Sequence, residues 1–250
     1  DIVVSIPVMK MHMHTGVTLS VKNMKGCLYK RTKVDLHMLP ESGRPEKPLD
    51  IAIADMSTVL RPHFAIVDGT VGMEGLGPSA GQPRRLDAVV AAVDGFAADA
   101  VACELMGTSA DCVAHLRMGA KRGAGVIDTD ALRIVPDDWR ALAQEFAPAP
   151  DNLSVEFPNV EVLDNNSCSA CQSTLLLFLQ TYADELFDYF PEGEPVRFAI
   201  GKGHDALPPH TVCIGNCTVT HRDVGVFVPG CPPVGSAIQR ALTKWRDDRS

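Results

Sequence analysis

Five cysteines in the last third of this chain stand at spacings that bear on metal chemistry. The stretch "NSCSACQS" holds Cys168 and Cys171, and "TVCIGNCTVTHRDVGVFVPGCPP" adds Cys213, Cys217 and Cys231. A C-x2-C turn brings both Cβ atoms to one side, so that two thiolates can point at one centre. Four such ligands complete a tetrahedral zinc site or a [4Fe–4S] cluster. Cys231 is followed by Pro232, as in iron–sulfur runs ending C-P; the proline fixes the chain direction and removes an N–H. Gly215, in the sequence "GNC", permits close backbone approach beside Cys217. Cys213 lies inside the apolar run "TVCIG" and ranks fifth, as a core thiol; if that strand ran on, alternation would put it on one face with Cys217. The ligand set is therefore Cys168, Cys171, Cys217 and Cys231 round one [4Fe–4S] cluster. A zinc ribbon usually offers two C-x2-C knuckles, and the spread second half here suits a cluster better. Cys27, Cys103 and Cys112 read as buried thiols of the core.

A second group lies near the start, in "PVMKMHMHTGVTLSVKNMKG". If "KMHMH" is extended, Lys10, His12 and His14 share one face. Lys10 and Lys22 are then placed to hold an anionic group, with Asn23 beside them. His12 is a candidate acid or base, since its ordinary pKa lies near neutrality. A solvated loop with hydrogen-bonded histidines is the plainer alternative. In "VDGTVGMEGLGPSAGQP", Asp68 follows a strand and Glu74 stands between glycines. Gly75 and Gly77 would offer backbone N–H groups to an anion or cofactor. Neither G-x-G-x-x-G nor a P-loop is present, so nucleotide binding has no motif behind it. Asp94 ends the next strand and joins Lys10, His12, Lys22 and Glu74 as a catalytic candidate; Asp99 favours a helix N-terminus.

These residues need elements to carry them. "DIVVSIPV" reads as a short buried strand stopped by Pro7. Residues 30–49 read as a long polar loop, "IAIADMSTVL" as a helix, and "HFAIVDGTVG" as a strand entering a Gly-rich loop. "LDAVVAAVD" reads as a further buried strand. "GFAADAVACELMG" and "DCVAHLRMGAKRG" read as helices closed by glycine. The stretch "EFAPAPDNLS" is the best boundary. Beyond it come the strand "VEVLD", a helix from "STLLLFLQ", the short strands "VRFAIG", "TVCIG" and "VGVFVPG", and a helix over 234–245. Alternation of strands and helices implies an α/β fold, a mostly parallel or mixed sheet flanked by helices. Residues 1–148 would form one domain and 149–250 a smaller α/β cysteine-rich module.

The bulk numbers limit the function classes. With 46% apolar and 22% charged residues in 250, the chain is an ordinary globular one with room for two cores. A formal net charge of −8 argues against a nucleic-acid partner held by phosphate neutralisation. No apolar run approaches a membrane span. Eight cysteines in a chain with ample core point to a reducing, cytoplasmic compartment. The chain enters at once into a strand-like run, which suggests a missing upstream segment.

The motifs resemble those of the domain of unknown function 362 family, whose members are often described as iron–sulfur cluster-binding proteins. "PVMKMHMHTGVTLSVKNMKG" is similar to its P-x-x-K-x-H, T and K-N-x-x-G pattern, and "VDGTVGMEGLGPSAGQP" to its D-G-x-x-x-x-E-G-x-G-P-x-x-G. "AVVAAVDGFAADAVACELMG" resembles its strand–D-x-x-A-x-D–helix segment. The resemblance covers about residues 1–130. It implies an α/β domain associated with iron–sulfur chemistry, and no substrate. Many members carry a ferredoxin-like domain, whereas this chain lacks the C-x2-C-x2-C-x3-C-P run. The expectation is a redox protein that passes electrons to a small anionic substrate or to a partner protein. The alternatives are a non-redox cluster- or metal-dependent lyase or hydrolase, and a zinc-stapled binding module without catalysis.

Overall fold

The computed structural model describes the chain except residues 31, 38, 41, 79, 150–156, 158, 191–194 and 249–250, and the backbone alone of 34, 169, 187 and 188. It forms two compact units, Asp1–Asp151 and Asn152–Ser250. Residues 150–154 of the expected boundary, and Ser79 of the Gly-rich motif, lie outside the described residues.

In the first unit the opening run is two segments rather than one strand. They are β1 (Val4–Ser5) and β2 (Val8–His12), parted by Pro7, which has no N–H to give a ladder. Both run parallel to β4 (Phe64–Glu74) along one of its edges, and Asp68 N bonds Pro7 O. β3 (Gly16–Thr18) turns back antiparallel on β2, and β5 (Gln82–Ala92) runs antiparallel on the other edge of β4. The sheet is therefore mixed. Its strands do not bury both faces. Leu86 and Ala88 of β5 are buried, while Val89 is exposed, as are Val4 and Val8. An antiparallel edge strand needs only one face on the core, so the expected fully buried runs alternate instead. The loop expected over 30–49 contains α2 (Thr32–Asp35), and α3 (Pro48–Met56) begins within it.

α1 (Ser20–Asn23), α3, α4 (Gly95–Leu105) and α5 (Ala114–Lys121) complete the unit. α4 packs on β4 and β5, and its alanines bury nearly its whole surface. The left-handed Gly107 and Gly123 follow α4 and α5, where a helix end favours glycine. Cys103 is in this core, but Cys27 and Cys112 are exposed, against expectation. Each lies in a short 3-10 turn at the surface, over Met24–Cys27 and Ala110–Cys112.

The second unit is a parallel sheet in the order β6 (Val160–Asp164), β7 (Val196–Ile200), β8 (Val212–Ile214), β9 (Val226–Val228). α6 (Ser169–Tyr182) joins β6 to β7, and α7 (Gly235–Asp247) follows β9. Phe198, Ile200, Val212, Ile214, Val226 and Val228 share one face by alternation, and they pack with Leu175, Leu179, Ile238 and Leu242 of the two helices. Ala199 and Cys213 point to the other face.

Candidate functional site

The four candidate cysteine ligands are carried past the carboxyl ends of parallel strands, where open α/β sheets place their ligands. After β6 the chain reaches Cys168, the residue preceding α6, with Cys171 in that helix's first turn. After β8 it passes Gly215, whose φ is +87°, into a 3-10 turn, Asn216–His221, that holds Cys217. After β9 it passes Gly230 to Cys231, whose bond to Pro232 is cis.

The last two loops are sewn together. Gly215 N donates to Val228 O at 2.9 Å, Asn216 N to Gly230 O at 2.8 Å, and Gly230 N to Asn216 Oδ1 at 2.9 Å. Gly215 also meets the first loop: a Cβ on it would stand 3.2 Å from Cys171 Sγ. The close approach expected of this glycine is thus toward a thiol.

Electrostatics join all four thiols. Cys168 is drawn down to about 6, first by the hydrogen bond from the Cys171 thiol, then by the N–H groups of Cys171 and Ala170, with burial opposing. Cys171 is pushed up, because it donates to Cys168, is buried, and feels negative charge at Cys168, Cys217 and Cys231. Cys217 is raised by burial and by Cys168 and Cys231, against the pull of Lys202. Cys213 stands apart. Its Sγ donates to Thr211 O and His221 O, and burial alone raises it to about 11. The strand ends at Ile214, so Cys213 and Cys217 do not share a strand face. Among the described residues no three His, Cys, Asp or Glu side chains are already set round a single ion.

In the first unit the β2–β3 hairpin pairs Lys10 with Thr18 and His12 with Gly16. Met9, Met11, Val17 and Leu19 are buried in the core, which leaves Lys10, His12 and Thr18 on the other face. Asp99, in the middle of α4, seats α1 beside them. Its two oxygens accept from Ser20 N at 2.7 Å and Val21 N at 2.8 Å. It therefore serves the start of α1, not of its own helix. Lys22 of α1 is buried, and its Nζ donates to Thr15 Oγ1 at 2.8 Å and Thr18 Oγ1 at 2.9 Å. Burial, then the charges of Lys25 and Lys10, pull its pKa down, against Asp50.

His12 is buried. Its Nδ1 accepts from His14 N and Thr15 N, which puts the proton of the neutral ring on Nε2. Burial and then Lys22 hold it far below the ordinary histidine range. That weakens a general-base role for His12 and suits a neutral N–H donor. Lys25, also buried, stands 2.6 Å from His37 Nε2, and burial and Lys25 lower His37 to about 4. On the far side, Asp50 of α3 meets His115 of α5 at 3.1 Å, both buried.

The remaining candidates hold the fold together elsewhere. Asn23 Nδ2 donates to Ser5 Oγ, which in turn donates to Ser20 O, tying α1 to β1. Glu74 accepts from Ala147 N and lies 3.9 Å from Arg84. Asp94 caps α4 through Phe96 N and also accepts from Val126 N. Neither carboxylate is among the groups that act on Lys22 or His12. Gly75 N donates to Ala147 O and Gly77 N to Gly75 O, so neither N–H is open to an anion. A Cβ on Gly77 would lie 1.9 Å from Met11 O; this glycine is required by the chain's own backbone. His37, Asp50 and His115 carried no motif, and Thr15 and Thr18 stood in the family-like stretch without a role assigned to them. Only the pairing of hairpin and helices brings them to Lys22.

Among the described residues no helix is long and apolar enough to cross a membrane. No solved structure matches the chain. A thylakoid-associated protein of Synechocystis sp. is 28% identical over 147 residues, 56% of this chain and 45% of the relative, so the chain spans less than half of that protein. Residues 1–104, which contain the hairpin, Lys22, the Gly-rich loop and nearly all of α4, match the model of the family described as Domain of unknown function (DUF362). The resemblance carried by the sequence motifs is thus met within the first unit, where residues 1–104 match that family's model.

Proposed function

We propose that the second unit binds a [4Fe–4S] cluster through Cys168, Cys171, Cys217 and Cys231. In this reading the protein is a redox component that serves a small anionic substrate held in the first unit, or a partner protein. The observation that supports it is that the loops carrying the four cysteines leave the carboxyl ends of β6, β8 and β9 at one sheet edge, with Cys168, Cys217 and Cys231 near enough for their charge to act on Cys171. The donor set is all sulfur, and thiolate sulfur suits iron–sulfur centres and zinc. Cys168 already favours the thiolate, the form that ligates. Cys171, now donating to Cys168, and Cys217 are raised by their neighbours' negative charge, and a cationic centre reverses that sign. A bound cluster supplies one-electron transfer; the chain's part is to hold the sulfurs and shield them with the Gly215 and Gly230 loops. The cysteine usage also supports a cytoplasmic, reducing location.

The full chain purified anaerobically is expected to carry iron and acid-labile sulfide in about a four-to-four ratio. Cys217→Ser and Cys231→Ser should each lose this content, and Cys112→Ser should keep it. Stoichiometric zinc without sulfide would overturn the redox reading and favour a zinc-stapled module.

A further inference from the structure

We propose that the basic face built by β2, β3 and α1 binds a doubly charged oxyanion of the phosphate type, with Lys22 at its floor and Lys10 at its mouth. This deepens the reading of the first unit as an anion site and is independent of the cluster.

Lys22 is only 8% exposed, yet its hydrogen-bond partners among the described residues are two neutral hydroxyls. No carboxylate lies within ion-pair distance of it there. A buried ammonium in that position is costly unless something anionic completes it. Thr15 passes its own proton to Val17 O, but the Thr18 hydroxyl, which accepts from Lys22, has no acceptor for its proton among the described residues. Lys10 lies across the ladder from Thr18, half-buried, with neither a hydrogen bond nor an ion pair among those residues. One donor hydroxyl and one ammonium therefore stand open beside Lys22, on the face away from the core.

The charges that face this place come from five directions. β2 and its turn supply Lys10, His12 and His14; the turn after α1 supplies Lys25; His37 stands on Lys25. α3 supplies Asp50, which is engaged with His115 of α5. With Asp50 engaged by His115, Lys10 and Lys22 bring two ammonium groups to this face, in a chain whose formal net charge is −8. A monocarboxylate would offset one of them. A phosphoryl group, close to doubly charged at neutral pH, offsets both and has oxygens enough for Lys10, Lys22 and Thr18.

Burial and the neighbouring charges lower the Lys22 pKa, and a bound dianion opposes that shift by stabilising the ammonium. Calorimetric titration of the full chain with inorganic phosphate and with glycerol phosphate tests the proposal. Saturable binding is expected. Lys10→Met and Lys22→Met should each weaken binding at least tenfold without lowering the melting temperature. Should Lys22→Met fail to fold, Lys10→Met at its half-exposed position gives the same reading. Absence of binding, or equal affinity in the Lys10→Met chain, overturns the proposal. Acetate or citrate binding more tightly than phosphate overturns the phosphate class. Iron and sulfide are assayed separately, so loss of the cluster reading leaves this result standing, and the reverse.

Discussion

Asp99 carries more of the first unit than its place in an alanine-rich helix suggests. Fully buried, it gives one oxygen to each of two buried N–H groups at the start of α1. Burial pushes its carboxyl up to about 8 while those two donors draw it down. Leaving a buried donor unsatisfied costs roughly 1–3 kcal/mol. Asp99→Ala, which strands both, is expected to cost about 2–5 kcal/mol in denaturant unfolding, and Asp99→Asn about half as much. Since α1 carries Lys22, the Ala variant should weaken anion binding as well. A loss below about 1 kcal/mol in the Ala variant would mean that α1 is seated by something other than this carboxylate.

At the scale of elements, glycines decide how closely loops approach strands. The loop after β4 returns over β2 so tightly that Met13 N bonds Gly77 O, and a Cβ on Gly77 would lie inside Met11 O. Any side chain there must move backbone, because the obstacle is a carbonyl and not the end of a flexible chain. Gly77→Ala is expected to lower stability by about 3 kcal/mol or more, among the larger single-residue effects, as read by thermal melting. Retained stability would show that the loop can lift from β2. Gly75 next to it is a different case: its φ is +72° and its Cβ position is open, so there the requirement is backbone conformation alone.

At the scale of the whole molecule, the buried titratable groups set the pH dependence. In an unfolded chain His12 and His37 take up protons near 6.5. In the folded protein His37 does so only near 4, and His12 lower still. Between those values the unfolded state binds more protons at these two sites, so their contribution to stability falls as pH drops from about 6.5 through 4 and is fully present above that window. Lys22, depressed from its ordinary value near 10.5, has the same sign on the alkaline side. Asp99, raised to about 8, carries the opposite sign over the same range, so the histidine contribution is read by difference: between pH 7.5 and 4.5, the change in denaturant midpoint should be less favourable to the folded state in the native chain than in His37→Gln. An unchanged slope in that variant would mean that His37 titrates normally in the folded protein.

The sequence alone determined whatever is written in local spacing. The thiol pair at Cys168 and Cys171, the glycine ends of α4 and α5, and the short apolar strands of the second unit are all contiguous patterns, set by turn geometry and side-chain period. The Lys10–His12–Lys22 stretch was legible for the same reason, and its motifs lie within the residues that match the family model. Only the tertiary structure decided which of these residues meet. Glu74 and Asp94 were credible acids by position, yet backbone N–H groups far along the chain, at Ala147 and Val126, claim them. Gly75 and Gly77 had the composition of an anion loop, but their N–H groups bond within the protein. Asp99 serves a helix some 79 residues earlier in the chain, a partnership no window of sequence contains. The three cysteine loops converge because parallel strands put all their carboxyl ends at one edge, and strand order is a property of pairing between distant segments. Burial is likewise a property of the assembled fold, and burial is what makes Lys22 an ammonium in need of an anion.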